Sequence, residues 1–221
     1  MDIGKSFTFI FDDEEWVSKL LIGALFVLAS AVVVGIPFLL GYMVRIVRNV
    51  MQGKEKPLPG WDDLGDLFKE GLILAVIFVI WAIPSWGISV FQSIIGALLS
   101  TSYDMVRVYG VLSTCLGCLS ALWGLVMAIF TPALVTRYAN APEFKTGFEF
   151  AELWQFTRDN LGNIVIALLL GALAVFVSSF GVILCVIGVF ATLFWAYTIV
   201  AHLYGQVYVA QKTDLVMSGE E

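Results

Sequence analysis

The chain contains little charge, and its long hydrophobic runs contain none. Only 14% of the 221 residues are charged and 60% are hydrophobic, with a mean hydropathy of +0.92. An ordinary soluble domain is about 25% charged. A soluble fold of this length could not bury so much apolar side-chain surface, whereas a lipid bilayer can accommodate it. We therefore expect an all-α, polytopic transmembrane helix bundle with kinked helices.

Basic clusters, disulfide patterns and catalytic motifs are also missing. The net charge of −6 and the absence of a Lys/Arg cluster exclude a nucleic-acid binder. Cys115 and Cys118 have C-x-x-C spacing in the middle of an apolar run, and no second pair or neighbouring histidine completes a metal site. There is no H-E-x-x-H, P-loop or G-x-S-x-G motif. We expect no enzyme, no metal, no cofactor and no catalytic residue.

The apolar runs predict five membrane spans, because each crossing needs about 20 apolar residues. We place the spans in a single domain, residues 1–221, at residues 20–44, 71–99, 108–135, 163–179 and 181–204. Residues 163–204 are too long for one crossing and divide near Gly181. Pro84 leaves a re-entrant hairpin over residues 71–99 as an alternative, which would invert the topology after it.

The basic residues predict the orientation of these spans in the cell membrane. With five spans, nine of the twelve Lys and Arg residues fall on the face that holds the C-terminus. The other face carries only Lys5, Lys19 and Arg107. Because basic residues favour the cytoplasmic side, we expect the N-terminus outside and the C-terminus inside.

Three short segments before apolar runs share one pattern, an aromatic residue, an acid two positions later and a base six positions after the acid. They lie at residues 11–19, 61–70 and 148–160 and contain Phe11, Asp13 and Lys19; Trp61, Asp63 and Lys69; and Phe150, Glu152 and Arg158. An early acid and a late base suit the helix dipole, and an aromatic ring suits the headgroup region. We interpret them as interfacial amphipathic helices, with an internal repeat as the alternative.

Small residues at helical spacing mark two faces for helix packing. One runs along the third span (Gly110, Thr114, Gly117, Cys118, Ala121, Gly124 and Ala128) and one along the fifth (Gly181, Cys185, Gly188 and Thr192). Helices in lipid associate by close approach at small residues. We expect both faces to contact other helices, within the bundle or across an oligomer.

Two places are candidate binding sites or interfaces. His202, the single histidine, and Gln206 lie among tyrosines near the end of the fifth span. They would form a ligand site or part of an interfacial aromatic belt. The loop with Pro59, Trp61, Asp62 and Asp63 would hold a cation or a basic partner, or simply cap and anchor the next helix.

The same two segments resemble a known family. Residues 57–63, Pro-Leu-Pro-Gly-Trp-Asp-Asp, lead to Gly71, and Tyr197 precedes His-Leu-Tyr-Gly-Gln-Val-Tyr at residues 202–208. With the span pattern between them, they are similar to the DUF4013 proteins, uncharacterised integral membrane proteins found largely in archaea and in some bacteria. The resemblance implies an architecture and no catalytic residue.

These observations favour a non-enzymatic scaffold, or an accessory subunit of a membrane complex or homo-oligomer. Its partners would be the lipid bilayer and further membrane subunits, without nucleic acid. The alternative is a transporter or channel for a small neutral or lipidic substrate, with Gln92 on its path. A lipid-modifying enzyme that uses Asp62, Asp63 or His202 ranks third.

Overall fold

The computed structural model describes residues 1–99 and 103–218, and all regular structure in these residues is helical. The α-helices are α1 (Ile3–Thr8), α2 (Trp16–Ser30), α3 (Gly35–Met51), α4 (Leu64–Leu99), α5 (Tyr103–Asn140), α6 (Phe150–Asp159), α7 (Leu161–Ser178) and α8 (Cys185–Ser218). Short 3₁₀ segments lie at Phe9–Asp12, Phe144–Phe148 and Ser179–Leu184. The predicted all-α class is confirmed.

Four helical segments are long and apolar enough to cross a membrane. They are Leu64–Leu99, Met105–Asn140, Leu161–Ile183 and Gly188–Thr213, and α2 is a shorter apolar helix. This agrees with the expected bundle of about five apolar segments. Residues 71–99 lie in one continuous helix that runs through Pro84, and not in a re-entrant hairpin.

The first predicted span, residues 20–44, is not one helix. The chain reverses between Ser30 and Gly35, so that α2 and α3 form an antiparallel hairpin. Val33 has a φ of 70°, which β-branched residues rarely adopt. The turn satisfies its own backbone groups, because Val33 N–H donates to Ser30 O at 2.9 Å and Ile36 N–H to Val33 O at 3.1 Å. With 15 residues, α2 is about 22 Å long, short of the ~30 Å hydrocarbon core.

The reversal brings the two termini to the same end of the bundle. The side-chain amide of Gln206 donates to the carbonyl oxygen of Asp2 at 2.8 Å, and Ser6 Oγ lies 3.1 Å from His202 Nδ1. The prediction that the termini lie on opposite faces, N-terminus outside and C-terminus inside, is therefore wrong in their relative placement. It assumed that residues 20–44 cross the membrane once.

Hydrogen bonds join the other elements of this end, which we call the charged end. Arg48 Nε donates to Ala139 O at 2.8 Å, which joins the end of α3 to the end of α5. Tyr138 Oη donates to Glu70 O at 2.8 Å, which joins α5 to the start of α4. Lys5 and Lys19 now add to the nine bases placed on this face, so Arg107 alone of the twelve Lys and Arg residues belongs to the opposite end.

Helix α3 is the centre of the packed part of the bundle, where glycines allow close crossings. A methyl group on Gly41 would overlap the backbone of Leu67, and one on Gly71 would overlap the backbone of Pro37. On the other side of α3, a Cβ at Gly205 of α8 would clash with Val50. These crossings hold α4 against the backbone of α3 and α8 against the Val50 side chain.

The three predicted interfacial helices have different outcomes. Helix α6 (Phe150–Asp159) forms a separate helix within residues 148–160. Residues 11–19 are divided between a 3₁₀ segment and the start of α2, and residues 61–70 contain a loop followed by the first turns of α4. Both of these segments continue into apolar helices without a break.

The remaining halves of α4 and α5 form an extension that we call the arm, residues 82–99 and 105–126. No residue of the arm is buried. Its two helices contact each other along one face: Gln92 Nε2 donates to Ser113 O at 2.9 Å, and Trp123 Nε1 donates to Trp81 O at 3.0 Å. The arm therefore presents most of its apolar surface to its surroundings.

The Gly71 crossing gives a direct test of this packing. We expect Gly71→Ala to lower the free energy of unfolding by ~1–3 kcal/mol, because the added methyl forces α3 and α4 apart. Gly87→Ala is the matched control on the same helix, since a Cβ there meets nothing within 4 Å. Thermal unfolding in detergent, followed by circular dichroism, measures both. Equal stability of the two variants would contradict the crossing.

Candidate functional site

The candidate residues of the sequence fall into two separate groups at the charged end. Trp61 contacts α8 at Phe194, with ring centroids 5.9 Å apart. His202 lies eight residues further along α8, about 12 Å away along the helix axis. The structure therefore does not combine the Trp61 loop and His202 into one site.

Trp61 anchors the loop between α3 and α4. Its ring stacks on Tyr42 with centroids 4.2 Å apart and on Phe26 at 4.7 Å. Its indole Nε1–H donates to Lys19 O at 3.1 Å. These contacts fasten the loop to both helices of the α2–α3 hairpin.

Pro59 takes part in the same anchor, whereas Asp62 and Asp63 do not. The hydroxyl of the fully buried Tyr42 donates to Pro59 O at 2.9 Å. Asp62 and Asp63 are exposed, and Asp63 makes only a 3.7 Å ion pair with Arg45. An exposed pair at this distance contributes little to stability. The two carboxylates lie at the surface beside the first turn of α4.

A partly buried ion pair lies next to this loop. Lys19 Nζ is 2.7 Å from Asp13 Oδ2 and also donates to Leu58 O at 3.5 Å. Burial alone would raise the pKa of Asp13, but the bonds from Lys19 and from the Glu15 N–H outweigh it, so the pKa lies below its usual value. Asp13 is therefore ionised at neutral pH and holds Lys19 under the loop.

His202 and Gln206 form the second group together with the N-terminal segment. Both side chains are buried, and the ring of Phe9 stacks on the His202 ring at 4.4 Å. Ser6 Oγ lies 3.1 Å from His202 Nδ1, and Gln206 Nε2 lies 3.3 Å from the same atom. The N-terminal residues close over this part of α8.

The hydrogen bonds determine the tautomer of His202. The carbonyl of Asp2 can only accept, so the nitrogen of the Gln206 amide must be the atom 2.8 Å from it. The same nitrogen faces His202 Nδ1 at 3.3 Å, so Nδ1 accepts and the ring proton lies on Nε2. The Gln206 Oε1 atom then points elsewhere, and it is buried without a hydrogen-bond partner.

The Ser6–His202 contact does not have the geometry of a hydrolytic pair. Ser6 is fully buried, and its hydroxyl also lies 3.2 Å from Asp2 O. The carboxylate of Asp2 accepts from the Lys5 backbone N–H and does not orient the histidine. Among the described residues no group of three or more His, Cys, Asp or Glu could hold a metal ion. The contact joins α1 to α8.

A cavity of about 390 Å³ opens beside this group at the charged end. Its lining comes from the N-terminal segment, the end of α3 with the following loop, and α8: Met1, Asp2, Lys5, Val50, Gly53, Lys54, His202, Gln206, Val209, Ala210 and Thr213. Volumes of about 300–1,000 Å³ are typical of small-molecule sites. His202 and Gln206 are therefore placed where a ligand could reach them.

The small residues of the two predicted packing faces have different environments. Gly181 contacts Gly188 and Thr192 where α8 begins. By contrast, a Cβ on Gly110, Gly117 or Gly124 would meet nothing within 4 Å, and Ala121 is exposed. At Gly110, Gly117 and Gly124 the face on α5 has no neighbouring helix within 4 Å among the described residues of this chain.

Several residues of these sites carry no signal in the sequence. Ser6 and Phe9 reach His202 across more than 190 positions, and Phe26, Tyr42 and Phe194 surround Trp61 from three helices. In the sequence, each of them is an ordinary apolar or small residue of its own segment and gives no sign of its contact with Trp61 or His202. Only Asp2, which caps α1 by accepting from Lys5 N–H at 3.0 Å, has a recognisable local signature.

Removing the Trp61 anchor should free the loop. We expect Trp61→Ala to lower the free energy of unfolding by ~3–5 kcal/mol, because it empties a stacked aromatic site. It should also make residues 52–63 sensitive to protease. Trp154→Ala is the control, since Trp154 is 59% exposed on α6. Thermal unfolding and limited proteolysis measure both variants, and unchanged cleavage of the loop in Trp61→Ala would contradict the anchor.

The comparisons with known proteins identify a family. A family model described as "Protein of unknown function (DUF4013)" matches residues 24–187, from α2 to the start of α8. This segment contains the Trp61 loop but not His202 or Gln206. No curated protein and no solved structure matches the chain. The match covers about three quarters of the 221 residues, so the family suggested by residues 57–63 is confirmed and the chain belongs to DUF4013.

Proposed function

We propose that this protein is a non-enzymatic structural subunit that assembles side by side with further copies of itself in the membrane. The observation that carries the proposal is the open small-residue face of α5 on the arm. The packed part of the bundle buries its own core, whereas the small-residue face of α5 suits close helix contact and no helix among the described residues covers it.

The glycines of the chain support this distinction. Gly41, Gly71 and Gly205 lie where another helix leaves no room for a Cβ. Gly110 and Gly117 are also helical glycines, but a Cβ on either of them would meet no other atom within 4 Å. Glycine in a helix interior costs about 1 kcal/mol relative to alanine, so its repeated use without an internal contact favours an external one.

The spacing of the α5 face specifies the kind of contact. Gly110, Gly117 and Gly124 are seven residues apart, which keeps them on one side of the helix to within about 20° per repeat. Such a repeat suits a left-handed crossing near 20° between neighbouring helices. Copies inserted in the same orientation place their α5 helices parallel, so one face can contact its own counterpart.

The polar groups at the charged end support a non-enzymatic role. The Ser6–His202 contact is buried and lacks an orienting acid, and Asp62 and Asp63 are exposed beside a helix start. The described residues therefore supply no nucleophile with an adjacent, oriented base. This argues against the lipid-modifying enzyme.

We also infer that the charged end faces the cytoplasm. Eleven of the twelve Lys and Arg residues belong to this end, and the positive-inside rule acts on short loops of this kind. Both termini then lie inside the cell, because both lie at the charged end.

Cysteine labelling tests this orientation. In a variant whose three native cysteines are replaced, Asp12→Cys and Lys212→Cys should stay unlabelled by a membrane-impermeant maleimide in intact cells. Both should react after permeabilisation, and Arg107→Cys should react without it. Labelling of Asp12→Cys alone in intact cells would overturn the shared cytoplasmic end.

Oxidative cross-linking tests the assembly. In the same cysteine-free background, Ala121→Cys should form a covalent dimer in native membranes, because Ala121 lies on the glycine face. Leu119→Cys is the matched control, since it is also exposed but points about 160° away around α5.

A second substitution tests whether the glycine face holds the dimer together. Adding Gly117→Leu to Ala121→Cys should abolish the cross-link, because the side chain weakens close packing by ~1–3 kcal/mol. Gly87→Leu, at an equally open position on α4, should leave it intact. Equal cross-linking at residues 119 and 121 would contradict a specific contact.

The second candidate is a carrier for a small lipidic molecule. It is favoured by an apolar cavity of about 390 Å³ where α4 and α5 meet the segment before α6, lined by Ile80, Trp81, Pro84, Trp123, Val126, Met127, Phe130, Phe148 and Phe150. Its aromatic lining suits an acyl or isoprenoid chain. Absence of the Ala121→Cys cross-link, together with protein-dependent movement of labelled lipid between leaflets of a vesicle, would favour this candidate.

A further inference from the structure

We propose that the cavity beside His202 and Gln206 binds a phosphate ester that also carries a hydroxyl or amine donor. The phosphate lies between Lys5 and Lys54, and the donor group bonds to Gln206 Oε1. This site is independent of the α5 face, so either proposal can fail without the other.

The first argument is the distribution of ion pairs. Eight of the twelve Lys and Arg residues form an ion pair, with a carboxylate of a described residue within 4 Å, as in Lys19–Asp13 and Arg48–Glu70. Lys5 and Lys54 have none, although the chain has six more acids than bases. Both line the same cavity. Two ammonium groups left unpaired around one cavity in an acidic protein favour an anion.

The immediate contacts of these lysines are neutral. Lys54 Nζ donates to Asn49 Oδ1 at 2.7 Å, which holds its side chain without neutralising its charge. The cavity does contain one carboxylate, that of Asp2, and its Oδ1 accepts from the Lys5 backbone N–H at 3.0 Å. Lys5, Lys54 and Asp2 together leave a net positive charge. This net charge of about +1 matches a phosphodiester, which carries one negative charge, and offsets half or more of the charge of a monoester, about −1.5 to −2 at neutral pH.

The floor of the cavity supplies the complementary polar groups. His202 is 3% exposed and carries its ring proton on Nε2, because Nδ1 accepts from Gln206. Among the described residues this N–H has no hydrogen-bond partner. Gln206 is 8% exposed, and its Oε1 is buried without a partner while its nitrogen is fixed on Asp2 O. A buried unpaired acceptor costs ~1–3 kcal/mol, which a ligand hydroxyl or amine would recover.

The shape and position of the cavity favour an organic ester over a bare ion. Val50, Val209 and Ala210 form an apolar part of the lining next to the polar floor. A volume of about 390 Å³ exceeds what one phosphate requires. The chemistry is shared by the headgroup of an anionic phospholipid and by a soluble phosphorylated metabolite.

The experiment uses the full chain, purified in neutral detergent and stripped of lipid. Binding of dioctanoyl phosphatidylglycerol and of glycerol 3-phosphate is measured by microcalorimetry at fixed ionic strength. Saturable binding of the short-chain lipid without competition by glycerol 3-phosphate assigns the site to a lipid headgroup. Binding of glycerol 3-phosphate itself assigns it to a soluble ester.

The variants separate this site from general attraction between charges. Lys5→Met and Lys54→Met together should weaken binding at least about tenfold, because each removes a charge-assisted hydrogen bond. Lys212→Met is the matched control: Lys212 is exposed, has no carboxylate partner among the described residues, and precedes Thr213 of the cavity lining without lining the cavity itself. It should change binding by less than about twofold, as expected for screened charges.

Gln206→Leu tests the second half of the site. It should weaken phosphatidylglycerol more than dioctanoyl phosphatidic acid, which lacks the glycerol hydroxyls. Thermal unfolding of each variant confirms that it is folded, and the single lysine variants replace the double variant if it is not. Absence of saturable binding by either ligand would overturn the site. Equal weakening by Lys212→Met and by the lysine pair would also overturn it.

Discussion

The reversal of the chain between Ser30 and Gly35 is the constraint on which the rest of the arrangement depends. Because α2 and α3 return to the end from which they started, every later loop lies on the opposite side from the one that a single crossing would give. The N-terminal segment can then reach α8, and the cavity beside His202 can form. The turn exposes three consecutive valines, a composition that suits lipid better than water.

The packed part of the bundle contains helices that touch through main-chain atoms, whereas the arm is held without such contacts at its described glycines on α5. At Gly41 and Gly71 the crossing of α3 and α4 is set by main-chain atoms. Beyond Trp81 the arm is joined to the rest by the Trp123 Nε1 bond to Trp81 O, and Trp81 is itself held by its indole bond to Gly147 O at 3.0 Å. Pro84 lacks an N–H and so leaves Ile80 O without its helical donor, and the Trp123 indole donates to the neighbouring carbonyl, Trp81 O.

Composition and run length were sufficient to predict a helical membrane bundle, because no other environment accepts such an apolar chain. They could not distinguish one 25-residue crossing from two shorter helices over residues 20–44. The turn residues 31–34 contain none of the glycine, asparagine or proline by which a turn is usually recognised, and Gly35 and Pro37, which follow at the start of α3, are equally compatible with a kink in one helix. The tryptophan of the 57–63 loop pointed to an anchor, but its partners lie on distant helices. The His202 site depends on contacts across some 200 positions, which periodicity within one segment cannot predict.

Placing both termini at the charged end also bears on how the chain enters the membrane. With the charged end in the cytoplasm, as proposed above, residues 1–15 need not cross the membrane, and the α2–α3 turn needs no charged group to pass the hydrocarbon core. Of the connections at the opposite end, only the one that leads into α5 brings ionisable side chains, Asp104 and Arg107, and their charges have opposite sign. Moving an isolated charge through the bilayer centre costs about 2.5 kcal/mol or more. In that orientation, insertion as helical pairs from one side avoids most of that barrier, because Asp104 and Arg107 are the acidic and basic residues that have to cross.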